Sequence, residues 1–147
     1  MCADEPKPYL GQRFAPDDAR EWVNRARSSL AKAGLASDID VVYLEDLCFD
    51  AQQAAEKAIK AVLIYLGIGF PYVHDLAGLV GLVEQAGVPI PPPVARAPAL
   101  SDYVVETRCP GLAESVTRQE YEEALAVANA VVRWAEGVIG VEPPKDA

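Results

Sequence analysis

Apolar side chains recur at helical spacing in five stretches of the chain, and Gly and Pro residues separate these stretches. The first stretch follows Pro16, where Asp17 and Asp18 favour a helix N-terminus, and Gly34 is a suitable end. Its apolar face comprises Ala19, Trp22, Val23, Ala26, Leu30 and Ala33. The charged residues of the other face are interpreted as solvated: Arg20, Glu21, Arg25, Arg27 and Lys32.

The second stretch, Leu44 to Leu66, is predicted to be a central helix with one polar stripe. From Ala58 to Leu66 the only strongly polar residue is Lys60, so nearly every side of this half must contact other protein. Polar residues recur at positions i, i+3, i+4 and i+7, which places them on one side of the helix. These residues, which we call the polar stripe, are Gln53, Glu56, Lys57 and Lys60.

The middle of the chain predicts two further helices joined by a crossing segment. The third helix begins near His74 or Asp75 and stops at Gly87. Residues 88–98 contain five prolines, too many for a helix interior, and are predicted to be an ordered but irregular crossing. A short fourth helix is expected at about Ala99 to Glu106.

The last helix has the clearest start signal, because Thr117 and Glu120 stand at capping-box spacing, and it ends at Gly140. The fold class is therefore all-α: an up-and-down helical bundle of four main helices plus one short helix. We expect an N-terminal arm at residues 1–15, the bundle at residues 16–140 and a disordered tail at residues 141–147.

Composition excludes several classes of function. The net charge of −9 disfavours a protein that coats duplex DNA, which needs a basic surface. No apolar run is long enough to span a bilayer and the first nine residues do not form a signal peptide, so we expect a cytoplasmic protein without membrane contact. Three cysteines at wide spacing, Cys2, Cys48 and Cys109, argue against disulfides and a zinc site.

Candidate binding chemistry lies first on the polar stripe. Lys57 and Lys60, with Glu56, would suit a phosphate-binding edge, since ammonium groups make strong point-charge contacts to phosphate. The alternative is a solvated surface with internal ion pairs between residues four apart.

Three other positions are candidates for the same ligand. His74 beside Asp75 would contact a ligand or, alternatively, cap the third helix. Tyr103 and Arg108 would face the same cleft, although Arg108 would also suit the carbonyl groups of a helix end. A single His gives no metal site, no Gly-rich phosphate loop is present, and no cofactor is predicted.

The order of these motifs resembles the HEPN domain family over about Ala15 to Gly140. The resemblance rests on the helix Asp50 to Ala61 with the apolar run after it, on His74-Asp75-Leu76, and on Leu100-Ser101-Asp102-Tyr103 leading to Thr107-Arg108-Cys109-Pro110-Gly111. It implies a bundle that dimerises and that is often encoded beside a minimal nucleotidyltransferase in modules of toxin–antitoxin type. It also implies nucleotide binding.

Ribonuclease activity is not carried over from the resemblance. Active members of the family use an Arg followed four to six residues later by a His, and the only His here, His74, has no such Arg before it. We therefore predict a homodimeric binding module, not an enzyme, whose ligand is a nucleotide or a nucleotidyltransferase partner. Its predicted ligand-binding residues are Glu56, Lys57, Lys60, His74, Asp75, Tyr103 and Arg108. The alternatives are a purely structural dimerising bundle and a residual ribonuclease.

Overall fold

The long apolar helix predicted from the sequence lies at the centre of the structure, a computed structural model that describes residues 11–35, 41–70, 75–104 and 115–144. Every regular element in these ranges is helical, so the predicted all-α class is confirmed. The elements are α1 (Ala19–Gly34), α2 (Leu44–Leu66), α3 (Leu76–Gln85), α4 (Pro92–Ala95), a 3₁₀ helix (Ala97–Val104) and α5 (Arg118–Ile139).

Helix α2 has the predicted bounds and packs against α1, α3, α5 and the 3₁₀ helix. Its core-facing positions are rich in alanine, and Ala51, Ala54 and Ala55 are fully buried. Short side chains let neighbouring helices approach closely, which explains how one helix contacts four other elements. The helix ends at Gly67, whose φ of 73° is a left-handed conformation that glycine adopts without strain.

Helix α1 begins as predicted, with the carboxylate of Asp18 accepting from the backbone N–H of Arg20. The interpretation of its charged face as solvated is wrong at Glu21, which is 5% exposed. Its carboxylate accepts from the backbone N–H of Phe14 at 3.0 Å, and this bond lowers the pKa of Glu21. Arg27 is also largely buried, because it reaches Glu136 on α5.

The middle of the chain differs from the prediction in two details. The crossing segment is not irregular throughout, because Pro92 starts the single helical turn α4; proline suits this position since a first-turn N–H has no helical partner. The short helix that follows is a 3₁₀ helix that begins at Ala97 rather than an α-helix from Ala99. Its predicted end at Glu106 lies outside the described residues.

Helix α5 begins with the predicted capping box, in which Thr117 and Glu120 exchange hydrogen bonds with each other's backbone N–H. It ends at Gly140, as expected. The buried hydroxyl of Tyr121 donates to the carbonyl oxygen of Ala33 at 2.6 Å and so connects the start of α5 to the end of α1. None of the helices in the described ranges is long and apolar enough to cross a membrane.

Candidate functional site

The polar residues of α2 form a hydrogen-bonded ladder inside the bundle. The amide of Gln52 donates to Oε1 of Glu56 at 3.1 Å, and Nζ of Lys60 donates to Oε2 of the same carboxylate at 3.1 Å. Glu56 and Lys60 are only 4% and 7% exposed, so this ion pair is not on a solvated surface. Glu56 and Lys60 therefore neutralise each other within the helix.

Lys57 differs from its neighbours on the polar stripe because its amine faces α1. Its Nζ donates to Oγ of Ser29, which is buried, at 2.9 Å. Among the residues that the structure describes, no carboxylate oxygen lies within 4 Å of this Nζ. Burial lowers the pKa of Lys57, and the neighbouring charges of Lys32 and Arg25 lower it further, against weaker opposing effects of Glu56 and Asp50.

Two more cations of α1 lie near Lys57, and each has an acidic partner. Nε of Arg25 is 3.1 Å from Glu21, and Nζ of Lys32 is 3.4 Å from Asp50 on α2. Both cationic side chains are more than half exposed, so solvent screens these two ion pairs. We call Arg25, Ser29, Lys32 and Lys57 the α1–α2 basic patch.

Aromatic side chains cover the C-terminal end of the ladder. Nζ of Lys60 lies 5.5 Å from the ring centroid of Phe70, which is a cation–π contact. Phe70 in turn contacts Trp22 edge to face, with ring centroids 6.5 Å apart, and the indole N–H of Trp22 donates to the carbonyl oxygen of Pro16. Lys60 is therefore enclosed by structural contacts, whereas Lys57 is not.

The structure does not bring all the predicted ligand-binding residues together. Tyr103 lies beside Cys48, which is nine residues before Lys57 and therefore about two and a half turns away, on the opposite side of α2. Asp75 caps α3 by accepting from the backbone N–H of Ala77 at 3.1 Å. His74 and Arg108 lie outside the described residues. Ligand binding by these residues stays a prediction.

Burial makes the Cys48 and Tyr103 pair chemically inert near neutral pH. Desolvation raises the pKa of the Cys48 thiol to about 12, and desolvation together with nearby acidic groups raises the pKa of Tyr103 to about 12. A thiol that stays protonated is a poor nucleophile, so Cys48 acts as a core residue.

One charged cluster was missed by the sequence reasoning. Glu136 on α5, 1% exposed, accepts from Nε of Arg27 at 2.6 Å and from Nη1 of Arg133 at 2.6 Å. Arg27 also donates to the carbonyl oxygen of Glu142, beyond the end of α5. The sequence feature that indicates this cluster is the position of Glu136 directly after Ala135, on the buried face of α5. Ser29 was missed as well, because nothing in the sequence pairs it with Lys57.

Comparisons with known proteins agree with this fold. The sequence profile of the HEPN domain matches residues 19–138. The crystal structure of an archaeal HEPN homologue superposes with a TM-score of 0.65 at 25% sequence identity, and the match covers 83% of this chain and 98% of that one. No curated protein matches the chain in sequence. The resemblance inferred from the sequence is thus confirmed, and the chain belongs to the HEPN domain family.

Proposed function

We propose that this HEPN domain is a binding module that recognises the phosphate groups of a nucleotide at the α1–α2 basic patch. The observation that carries the proposal is Lys57: a half-buried amine that contacts a hydroxyl but, among the described residues, no carboxylate within 4 Å. Burying an ammonium group without an anion is costly, and a bound phosphate would supply that anion.

The surroundings of Lys57 support an anion more than a cation or a neutral ligand. Arg25 and Lys32 add positive charge beside it, and both lower its pKa. This patch is basic although the whole chain carries a net charge of −9, so its positive electrostatic potential is confined to the patch. Such a potential would attract a compact anion rather than a long nucleic acid. Lys60 contributes indirectly, because its amine donates to the carboxylate of Glu56, the residue before Lys57 in the chain.

The proposed biological setting is a two-component module of toxin–antitoxin type with a nucleotidyltransferase as partner. Family membership supports this setting, since the resemblance implies such a partner. Co-expression with a nucleotidyltransferase from the neighbouring reading frame is expected to yield a stable complex on size-exclusion chromatography. Separate elution of the two proteins at micromolar concentration would remove this part of the proposal.

Isothermal titration calorimetry tests nucleotide binding directly. The wild-type chain is titrated with AMP, ATP, GTP and inorganic phosphate, and at least one nucleotide is expected to bind. Lys57→Gln is expected to weaken that binding by about tenfold or more, the typical effect of losing a hydrogen bond to a charged group. The matched control is Arg118→Gln, which removes an exposed cation that is ion-paired with Glu122 on α5. Absence of all binding, or equal affinity of Lys57→Gln and wild type, contradicts the proposal.

A further inference from the structure

Two adjacent clefts separate α5 from α4 and the 3₁₀ helix. One, of about 100 Å³, lies between the 3₁₀ helix and α5, and the other, of about 150 Å³, lies between α4 and α5. Arg96, Glu123 and Val127 line both clefts, so these side chains lie where the clefts meet. Each cleft is smaller than the roughly 300 Å³ at which sites for drug-sized ligands begin. The space therefore suits a compact ligand rather than a nucleotide.

The two charged side chains where the clefts meet, Arg96 and Glu123, both lack a counter-charge in the described part of the chain. No carboxylate oxygen there lies within 4 Å of a nitrogen of the Arg96 guanidinium group. The carboxylate of Glu123 accepts from the neutral amide of Gln119 at 3.2 Å, and no Lys or Arg nitrogen of the same ranges lies within 4 Å of it. Arg96 and Glu123 thus line the same space without forming an ion pair with each other.

Both charged residues are carried by helices, and apolar side chains lie between them. Arg96 is the C-cap of α4, and its carbonyl oxygen accepts from the backbone N–H of Ala99 in the 3₁₀ helix at 3.1 Å. Glu123 lies in the second turn of α5. The floor of the clefts is formed by buried apolar residues: Leu100, Ala124 and Val127. The backbone therefore fixes a cation, an acid and an apolar floor relative to one another.

We propose that these clefts bind a free α-amino acid with a small apolar side chain. Arg96 donates to the α-carboxylate, Glu123 accepts from the α-ammonium group, and the ligand side chain packs on the apolar floor. An amino acid carries both charges on one carbon atom, so a single small molecule neutralises both residues. A phosphate would be repelled by Glu123 and by Glu120, which also lines one cleft, and a simple cation would be repelled by Arg96. Either end of a peptide offers only one of the two charges.

Heteronuclear NMR of the ¹⁵N-labelled chain tests this binding. L-alanine, L-valine and L-leucine are titrated, and at least one is expected to shift the amide signals of Leu100 and Ala124 in a saturable manner. N-acetyl-L-valine lacks the ammonium group and L-valinamide lacks the carboxylate. Each analogue is expected to bind at least about fivefold more weakly than L-valine, the effect of losing one solvent-screened ion pair. Absence of saturable shifts with all three amino acids, or equal affinity for L-valine and its two analogues, overturns the proposal.

Combining variants with the analogues tests the role of each charge. Arg96→Gln should weaken binding of L-valine by about fivefold but leave the affinity for L-valinamide unchanged, because that analogue has no carboxylate to lose. Glu123→Gln should behave in the same way with N-acetyl-L-valine, which has no ammonium group. The matched controls are Arg118→Gln and Glu122→Gln, which remove an exposed cation and an exposed acid that pair with each other on α5 and should leave L-valine binding unchanged. Far-UV circular dichroism verifies that each variant folds. If Arg96→Gln and Glu123→Gln weaken all three ligands equally, or weaken none, the proposal is overturned.

Discussion

Charged groups are buried on both of the seams that α1 forms, with α5 and with α2, but their partners differ. On the α1–α5 seam, Glu136 accepts from Arg27 and Arg133, so one carboxylate is bound by two guanidinium groups. On the α1–α2 seam, Lys57 contacts the hydroxyl of Ser29 instead of an acid. The first arrangement connects two helices that are far apart in sequence and stabilises the fold. The second leaves an amine available to an external anion.

The largest expected effect comes from breaking the α1–α5 seam. Glu136→Gln removes the charge while retaining the shape, and leaves two guanidinium groups without their common acid. Loss of one member of a buried ion pair typically costs 3–5 kcal/mol, so we expect the free energy of unfolding to fall by about 3 kcal/mol. Urea denaturation followed by circular dichroism measures this change.

The control for that experiment is Glu122→Gln on the exposed face of the same helix. Glu122 pairs with Arg118 at 3.4 Å in solvent, and exposed pairs contribute at most about 1 kcal/mol. Equal destabilisation by the two variants would show that Glu136 has no special structural role, and the contrast between the two seams would then fail.

A smaller effect is expected on the α1–α2 seam, within the ladder of α2. Lys60→Met keeps the apolar stem next to Phe70 but removes the amine that donates to the buried carboxylate of Glu56. A buried carboxylate without its cation is costly, so we expect the free energy of unfolding to fall by about 2 kcal/mol at neutral pH. Without its cation the carboxylate also takes up a proton more readily. That loss should decrease as the pH is lowered and Glu56 becomes neutral. A loss that does not change with pH would contradict this explanation.

The distance in sequence between interacting residues explains which parts of the structure the sequence predicted. The bounds of α2 and the capping box of Thr117 were correct, because apolar spacing and capping depend on residues a few positions apart. The prediction failed for Arg27 because its partner Glu136 is 109 positions away, and for Glu21 because the chain around Phe14 folds back over it. Charge alone does not reveal such partners.

The candidate site was predictable to a similar extent. Helical spacing placed Glu56, Lys57 and Lys60 on one side of α2, and the structure confirms this placement. The different environments of the two lysines follow from α1 and Phe70, which a single-helix pattern does not include. Tyr103 was grouped with the lysines by motif order, but the packing of the 3₁₀ helix places it on the side of Cys48.

The smallest expected effect on stability comes from replacing Lys57. Unlike the substitutions of Glu136 and Lys60, this replacement is not expected to lower the free energy of unfolding. The lowered pKa means that the folded state holds the Lys57 proton less tightly than the unfolded state. Between the lowered pKa and the ordinary value of 10.5, the unfolded chain therefore binds more protons, so the stability contributed by this group rises with pH. Below the lowered pKa the proton is bound in both states and the penalty is present in full. Lys57→Met should consequently be as stable as wild type or slightly more stable in urea denaturation.

Nucleotide binding should change with pH in the opposite direction, because the phosphate requires the protonated amine. Affinity is expected to fall as the pH rises through the lowered pKa of Lys57, in the same range where the stability contribution increases. Lys57→Arg is the informative variant, since a guanidinium group stays charged across this range and should move the fall in affinity to higher pH. Calorimetry and urea denaturation at a series of pH values measure the two trends on the same samples. If affinity and stability changed in parallel, a single structural role for Lys57 would explain both, and the distinction between a stabilising seam and a binding seam would be lost.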